Sequence, residues 1–104
     1  MRAEVEWTDP AFAKLEALPP HLAFDIVRRV DLLAALPEMG LALRSLYPQL
    51  QNCRQLIVER SRRVIYEYRQ SRRIVYVLDV QHCRQRLPTA AELKHALGED
   101  AESV

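Results

Sequence analysis

Residues 54–80 read RQLIVERSRRVIYEYRQSRRIVYVLDV, and this stretch decides the fold. Three runs rich in Val, Ile, Leu and Tyr follow one another at Arg54–Glu59, Arg63–Arg69 and Ile74–Val80, a composition typical of β-strands. The links between them hold three and four residues, which is short enough for hairpins. The stretch therefore predicts an antiparallel meander of three strands.

The N-terminal part predicts a strand followed by two helices. Val5-Glu6-Trp7 alternates apolar and polar residues, as an opening strand does. Thr8 or Asp9 followed by Pro10 marks a helix start, with a capping side chain and a proline in the first turn. A second, longer helix begins at about Pro20 and ends before Pro37. Its apolar residues recur every three or four positions: Leu22, Ile26, Val30 and Leu33.

The rest of the chain is less regular. Residues 38–52 predict loop structure with a short strand near Arg44–Leu46. Thr89 and Glu92 have capping-box spacing, which predicts a last short helix ending near Gly98. The fold class is α+β: two N-terminal helices packed on one face of a small, mainly antiparallel sheet, and a short C-terminal helix. We expect a single domain at 1–98 and an acidic, flexible tail at 99–104.

Composition excludes several classes of protein. A chain of 104 residues with 49% hydrophobic residues is enough for one core. No apolar run approaches the ~20 residues that cross a bilayer, and acidic residues near the N-terminus replace a secretory signal, so we expect a cytoplasmic protein that binds no membrane. Cys53 and Cys83 fit no metal-ligand spacing, and no nucleotide-binding or hydrolase motif is present. We therefore expect no metal and no cofactor.

Charge is segregated along the chain. The total is only +1, but residues 44–86 hold ten arginines against three acidic residues, a net charge of +7. Residues 1–43 and 87–104 each carry a net charge of −3. Arginine suits bidentate contacts to phosphate and carboxylate better than lysine does. The middle block is thus a candidate surface for an anionic partner, although arginines also keep sheet edges soluble.

Three short motifs in this block follow one another along the chain. Arg54-Gln55-Leu56-Ile57-Val58 precedes Arg63-Val64-Ile65-Tyr66, and the apolar strand at 75–80 leads into His82-Cys83-Arg84. With the N-terminal strand and two helices, this arrangement resembles the RelE/ParE superfamily of toxins from type II toxin–antitoxin systems over residues 3–87. The resemblance implies a RelE/ParE-like fold and a cognate antitoxin as partner.

The resemblance also implies site residues. In members that cleave mRNA on the ribosome, the arginine that corresponds to Arg63 stabilises the scissile phosphate. Arg54 is then a second phosphate contact and His82 the proton-transfer group, because cleavage needs an acid, a base and cations around one phosphate. We expect the following residues to bind the nucleic acid or another target: Arg62, Tyr66, Arg84 and Arg86.

Departures from the superfamily pattern leave alternatives open. Many ribosome-dependent members carry a lysine cluster or a terminal tyrosine, whereas this chain has only two lysines and Gln85-Arg86-Leu87 after the last strand. A ParE-like toxin that binds DNA gyrase and has no hydrolytic chemistry is the alternative to an mRNA endoribonuclease. A non-toxic relic that retains antitoxin binding is the third. Glu59 or Glu67 is a candidate base, but each also fits a strand residue that faces solvent.

Overall fold

The structure is a computed structural model that describes residues 2–98, so the predicted tail at 99–104 lies outside the described residues. A turn of 3₁₀ helix at Leu32–Ala34 extends the second helix. The elements are β1 Glu4–Trp7, α1 Asp9–Glu16, α2 Pro20–Asp31, β2 Leu41–Ala42, β3 Cys53–Val58, β4 Arg62–Arg69, β5 Ile74–His82 and α3 Ala90–Ala96. None of these helices is long and apolar enough to span a bilayer.

The five strands form one sheet in the order β1-β5-β4-β3-β2. The antiparallel meander β3–β4–β5 is confirmed, with each strand within two residues of its predicted bounds. β1 runs parallel to β5 and pairs Glu4 with Ile74 through Trp7 with Val77. The α+β fold and the mainly antiparallel sheet are therefore confirmed.

The predicted strand near Arg44–Leu46 is wrong. The edge strand β2 lies slightly earlier, at Leu41–Ala42, and pairs with Gln55 and Arg54 of β3. Residues 43–52 instead form a series of turns. Leu43, Tyr47 and Leu50 from this segment are buried, because the segment folds over the sheet rather than extending along its edge.

Both faces of the sheet are covered: the two N-terminal helices pack on one face, as predicted, and the other face is covered as well. On the first face, α1 and α2 bury residues such as Ala11, Ile26 and Val30 against β3, β4 and β5. On the second face, the 43–52 segment and Leu93 of α3 cover Ile65 and Leu78. Even-numbered residues of β4 point to the first face and odd-numbered residues to the second.

Of the two side-chain caps predicted at helix starts, one is present. The capping box is confirmed: the Thr89 hydroxyl accepts from the Glu92 amide, and the Glu92 carboxylate accepts from the Thr89 amide. Thr8 is the N-cap residue of α1, but its side chain makes no cap bond. Its hydroxyl instead donates to the Val77 carbonyl at 2.7 Å, which fixes the start of α1 beside β5.

A β-bulge in β5 positions a side chain that contacts α1. The register between β4 and β5 shifts at Ile65/Tyr66, which places Leu78 and Asp79 next to each other on the second face. Asp79 is 7% exposed, and its carboxylate accepts from the Lys14 ammonium of α1 at 2.6 Å. This buried carboxylate therefore holds α1 at the open side of β5 beyond the end of β1.

Candidate functional site

Arginines gather at one end of the sheet, where the β3–β4 hairpin lies beside the end of β5. Within residues 2–98, four of these guanidinium groups donate no hydrogen bond and form no ion pair. They belong to Arg60, Arg62, Arg84 and Arg86, of which only Arg62 is partly buried. This end of the molecule therefore presents arginines without ion pairs to an anionic partner, with Glu59 and Glu92 as the acidic groups that interact with Arg62 and Arg86.

His82 lies on the first face of the sheet at this end. It is paired across the strands with Arg62, so the two side chains point the same way. Its ring Nδ1 accepts from the Arg84 amide at 3.0 Å, and its own amide donates to the Gln85 side chain at 2.8 Å. Because Nδ1 is an acceptor, the neutral ring carries its proton on Nε2.

Arg63 lies on the second face, opposite to His82. It is paired across the strands with Gln81 and Ile57. Its Nη2 atom donates to the carbonyls of Cys83 at 2.9 Å and Gln85 at 3.2 Å. The structure therefore places Arg62 and His82 on one face of the sheet and Arg63 on the other, where its guanidinium reaches the residues that follow His82.

Arg54 lies toward the other end of the sheet. It is in register with Tyr66, four residues along β4 from Arg62, or about 13 Å at the usual rise of a strand. Its guanidinium donates to the Gly40 carbonyl at 2.8 Å and the Glu38 carbonyl at 3.0 Å. These contacts fix the chain that leads into β2.

Tyr66 lies in the core, fully buried, rather than at the surface. Its hydroxyl donates to the Pro37 carbonyl at 2.8 Å and accepts from the Gly40 amide at 3.0 Å. Burial raises the pKa of this phenol. A side chain at Gly40 would lie within 2.8 Å of the Tyr66 hydroxyl, so the close approach explains the glycine there.

The two glutamates considered as bases have different surroundings. Glu59 is exposed at the β3–β4 turn, and a hydrogen bond with the Asp25 side chain raises its pKa. Glu67 is 1% exposed, which corrects the interpretation of this residue as solvent-facing. Its carboxylate accepts from Arg69 at 2.7 Å and from the Gln51 amide at 2.9 Å. Glu67 thus anchors the 43–52 segment to the sheet.

A cavity of about 290 Å³ opens beside His82, between the end of α1 and the end of β5. Lys14, Arg62 and Gln81 line it with His82. Sequence reasoning missed Lys14 and Gln81. Lys14 is distant along the chain from β5, and only the packing of α1 against β5 brings it here. The alternation of β5 could place Gln81 on the face of Arg63 only after the register of the two strands was known.

Three comparisons relate this structure to known proteins. Residues 5–87 match the model of the family described as ParE toxin of type II toxin–antitoxin system, parDE. The E. coli toxin RelE, an arginine mutant in the free state, is similar in fold with a TM-score of 0.66 and 15% identity, covering 100% of this chain and 99% of that one. A chain of the toxin–antitoxin complex RelBE2 from Mycobacterium tuberculosis has a TM-score of 0.64 and 25% identity, covering 79% and 99%. No curated protein sequence matches significantly.

The sheet order, the helices and these likenesses define a toxin of the RelE/ParE superfamily, with a RelE-like fold. Within this superfamily, the ParE toxin model matches residues 5–87, which is most of the chain. The chain belongs to the family of ParE toxins of type II toxin–antitoxin systems.

Proposed function

We propose that this toxin arrests growth by binding DNA gyrase in the cytoplasm, without phosphodiester chemistry of its own, and that a cognate antitoxin neutralises it. The ParE family match supports this proposal over the mRNA endoribonuclease implied by the first interpretation of the sequence. The arginine end of the sheet, with Arg62, Arg84 and Arg86, is the surface that we assign to the target.

One observation carries the choice of target. Cleavage of RNA through its 2′-hydroxyl requires an acid, a base and cations within hydrogen-bond reach of one phosphate. Arg63 and His82 belong to opposite faces of the sheet, and the backbone of Arg54 lies about 10 Å along the strands from Arg63 and about 13 Å from His82. The three side chains are therefore not gathered around one position, which favours a toxin that binds rather than cleaves.

The antitoxin proposal is supported by the surface of the toxin and by its relatives. RelBE2 is a toxin–antitoxin complex. Large apolar side chains are exposed on α1, on α2 and just after α2: Phe12, Phe24, Leu32 and Leu36. Together with the +7 block, they suit an acidic, amphipathic segment that becomes ordered on binding.

Co-expression tests this partnership. We expect the toxin alone to arrest growth, and the adjacent small open reading frame to restore growth and to co-purify with the toxin. A frame-shifted copy of that reading frame is the control and should restore nothing. If the toxin expressed alone leaves growth unchanged and no neighbouring product binds it, the partnership is wrong.

A second candidate function is an mRNA endoribonuclease that acts with the ribosome. The cavity beside His82 favours it, because Lys14 and Arg62 place two cations next to a histidine. Histidine is the usual proton-transfer group near neutral pH. In this version the catalytic set is Lys14, Arg62 and His82, and neither Arg54 nor Arg63 takes part.

His82→Asn distinguishes the two targets. The asparagine oxygen can still accept from the Arg84 amide, but the side chain cannot transfer a proton near neutral pH. A gyrase inhibitor should retain its inhibition of supercoiling by purified gyrase in this variant. A ribonuclease should lose about 10²- to 10⁴-fold in cleavage, measured as discrete mRNA 5′ ends by primer extension. Cleavage that disappears in His82→Asn, with no effect of the wild type on supercoiling, would reverse our choice.

A further inference from the structure

The segment that joins β5 to α3, residues 83–88, has no helix or strand, yet its backbone is held firmly. The Nη2 atom of Arg63 bridges two of its carbonyls, those of Cys83 and Gln85, at 2.9 and 3.2 Å. Both bonds come from this single nitrogen, which has two N–H groups to donate. Arg63 therefore acts on the backbone of this segment from the second face of the sheet.

Two further side chains hold the same segment. The Gln81 amide nitrogen donates to the Arg86 carbonyl at 3.2 Å, and the Tyr47 hydroxyl donates to the Pro88 carbonyl at 2.7 Å. With the two bonds from Arg63, four of the six carbonyls in residues 83–88 accept a side-chain hydrogen bond. Polar side chains from β4, β5 and the 43–52 segment thus replace the hydrogen bonds of regular structure.

The amides of the segment are also engaged. The Cys83 amide donates to the Ser61 carbonyl at 2.8 Å, and the Gln85 amide donates to the His82 carbonyl at 3.0 Å. The Arg84 amide donates to the His82 ring. The backbone is therefore fixed on the sheet.

The side chains of Arg84 and Arg86 remain exposed. Neither guanidinium forms a hydrogen bond or an ion pair with the described part of the chain. A fixed backbone that carries free cations is the arrangement of a pre-organised binding loop, since little entropy is lost when a partner binds.

We propose that Arg63 is a positioning residue, which holds residues 83–88 so that Arg84 and Arg86 face the target and does not itself contact the target. Gln81 and Tyr47 support the same segment. This inference rests on the proposed function as a toxin that binds a macromolecule, but not on whether that macromolecule is gyrase or RNA. It replaces the role of Arg63 as a phosphate contact, which the resemblance implied.

Arg63→Met, which keeps an unbranched side chain without a donor, and Arg63→Ala test the inference when local order and potency are measured on the same proteins. Both variants should raise amide hydrogen exchange at Arg84 and Gln85 by about tenfold or more, because both lose the bridge to the carbonyls. Both should weaken growth arrest by about tenfold, measured as the amount of toxin per cell at half-maximal arrest. The melting temperature should change little, which separates this effect from general unfolding.

Arg62→Ala is the matched control, since its guanidinium makes no bond to the segment. It should leave exchange at residues 84 and 85 at the wild-type rate. Full potency in Arg63→Met, with exchange raised, would overturn the inference because the fixed segment would not matter. Lost potency in Arg63→Ala with unchanged exchange would overturn it in favour of direct contact. A wild type that never arrests growth would instead contradict the proposed function, and the exchange rates would still show whether Arg63 holds the segment.

Discussion

Arg84→Glu/Arg86→Glu will raise the amount of toxin needed for growth arrest by about 100-fold or more, while the fold stays intact. Both guanidinium groups are exposed and without an ion pair in the described chain, so the only internal interaction lost is the attraction between Arg86 and the exposed Glu92. An anionic target surface that attracts two positive charges will repel two negative ones, and like charges in contact cost several kcal/mol. The measurement is growth arrest against toxin concentration per cell, with circular dichroism of the purified variant.

A matched control distinguishes the effect of the position of the two charges from the effect of total charge. Arg2→Glu/Arg72→Glu changes the net charge by the same amount at the opposite end of the sheet, where both residues are exposed. β5 separates the two ends by nine residues, or about 30 Å. The control should remain close to wild-type potency. Equal loss in both double variants would mean that overall charge, and not the segment at 83–88, determines toxicity.

Features that depend on neighbouring residues could be predicted from the sequence. The strands at 54–80 follow from their Val, Ile and Tyr content, and the last helix from the spacing of Thr89 and Glu92. The parallel pairing of β1 with β5 could not be predicted, because nothing in Val5-Glu6-Trp7 specifies a partner strand. The fold class could still be predicted, because the resemblance to the RelE/ParE superfamily implied how the elements are arranged.

The candidate site was harder to predict because it depends on register and on contacts distant in sequence. Arg63 and His82 belong to adjacent motifs, yet a one-residue difference in register decides whether they share a face. Arg63 is paired with Gln81 and therefore faces away from His82. Lys14 reaches the site because α1 packs against β5, where its ammonium pairs with Asp79, and no local pattern indicates this contact. The roles of Arg54, Arg63 and His82 in any reaction stay predictions.

The burial of Glu67 could not be predicted from the alternation of apolar and polar residues in β4 either. In a sheet with one solvated face, an acidic residue in a strand is expected to face water. Here the 43–52 segment covers that face, and Glu67 is enclosed with Arg69 and the Gln51 amide as its donors. The guanidinium of Arg69 also lies 5.1 Å from the centre of the Tyr76 ring. This group therefore joins β4, β5 and the 43–52 segment on the second face.

Arg69→Ala should accordingly lower the free energy of unfolding by about 3 kcal/mol, since removal of one partner leaves a buried carboxylate uncompensated. The Glu67 side chain is 2% exposed, so water cannot replace the lost donor without opening the 43–52 segment. In a domain of this size the change should lower the melting temperature by about 12 °C or more. Urea denaturation of the purified toxin measures the first quantity and calorimetry the second.

Two further variants show whether the buried charge is the cause. Arg72→Ala removes an exposed arginine three residues away and should change stability by less than about 0.5 kcal/mol. Arg69→Met/Glu67→Leu removes both charges and should recover most of the loss, because apolar side chains of similar size often replace a buried ion pair without cost. If the double variant is as unstable as Arg69→Ala, the loss comes from packing around Tyr76 rather than from the carboxylate. Because Glu67 lies at the opposite end of the sheet from Arg84 and Arg86, toxicity at a permissive temperature should follow the folded fraction alone.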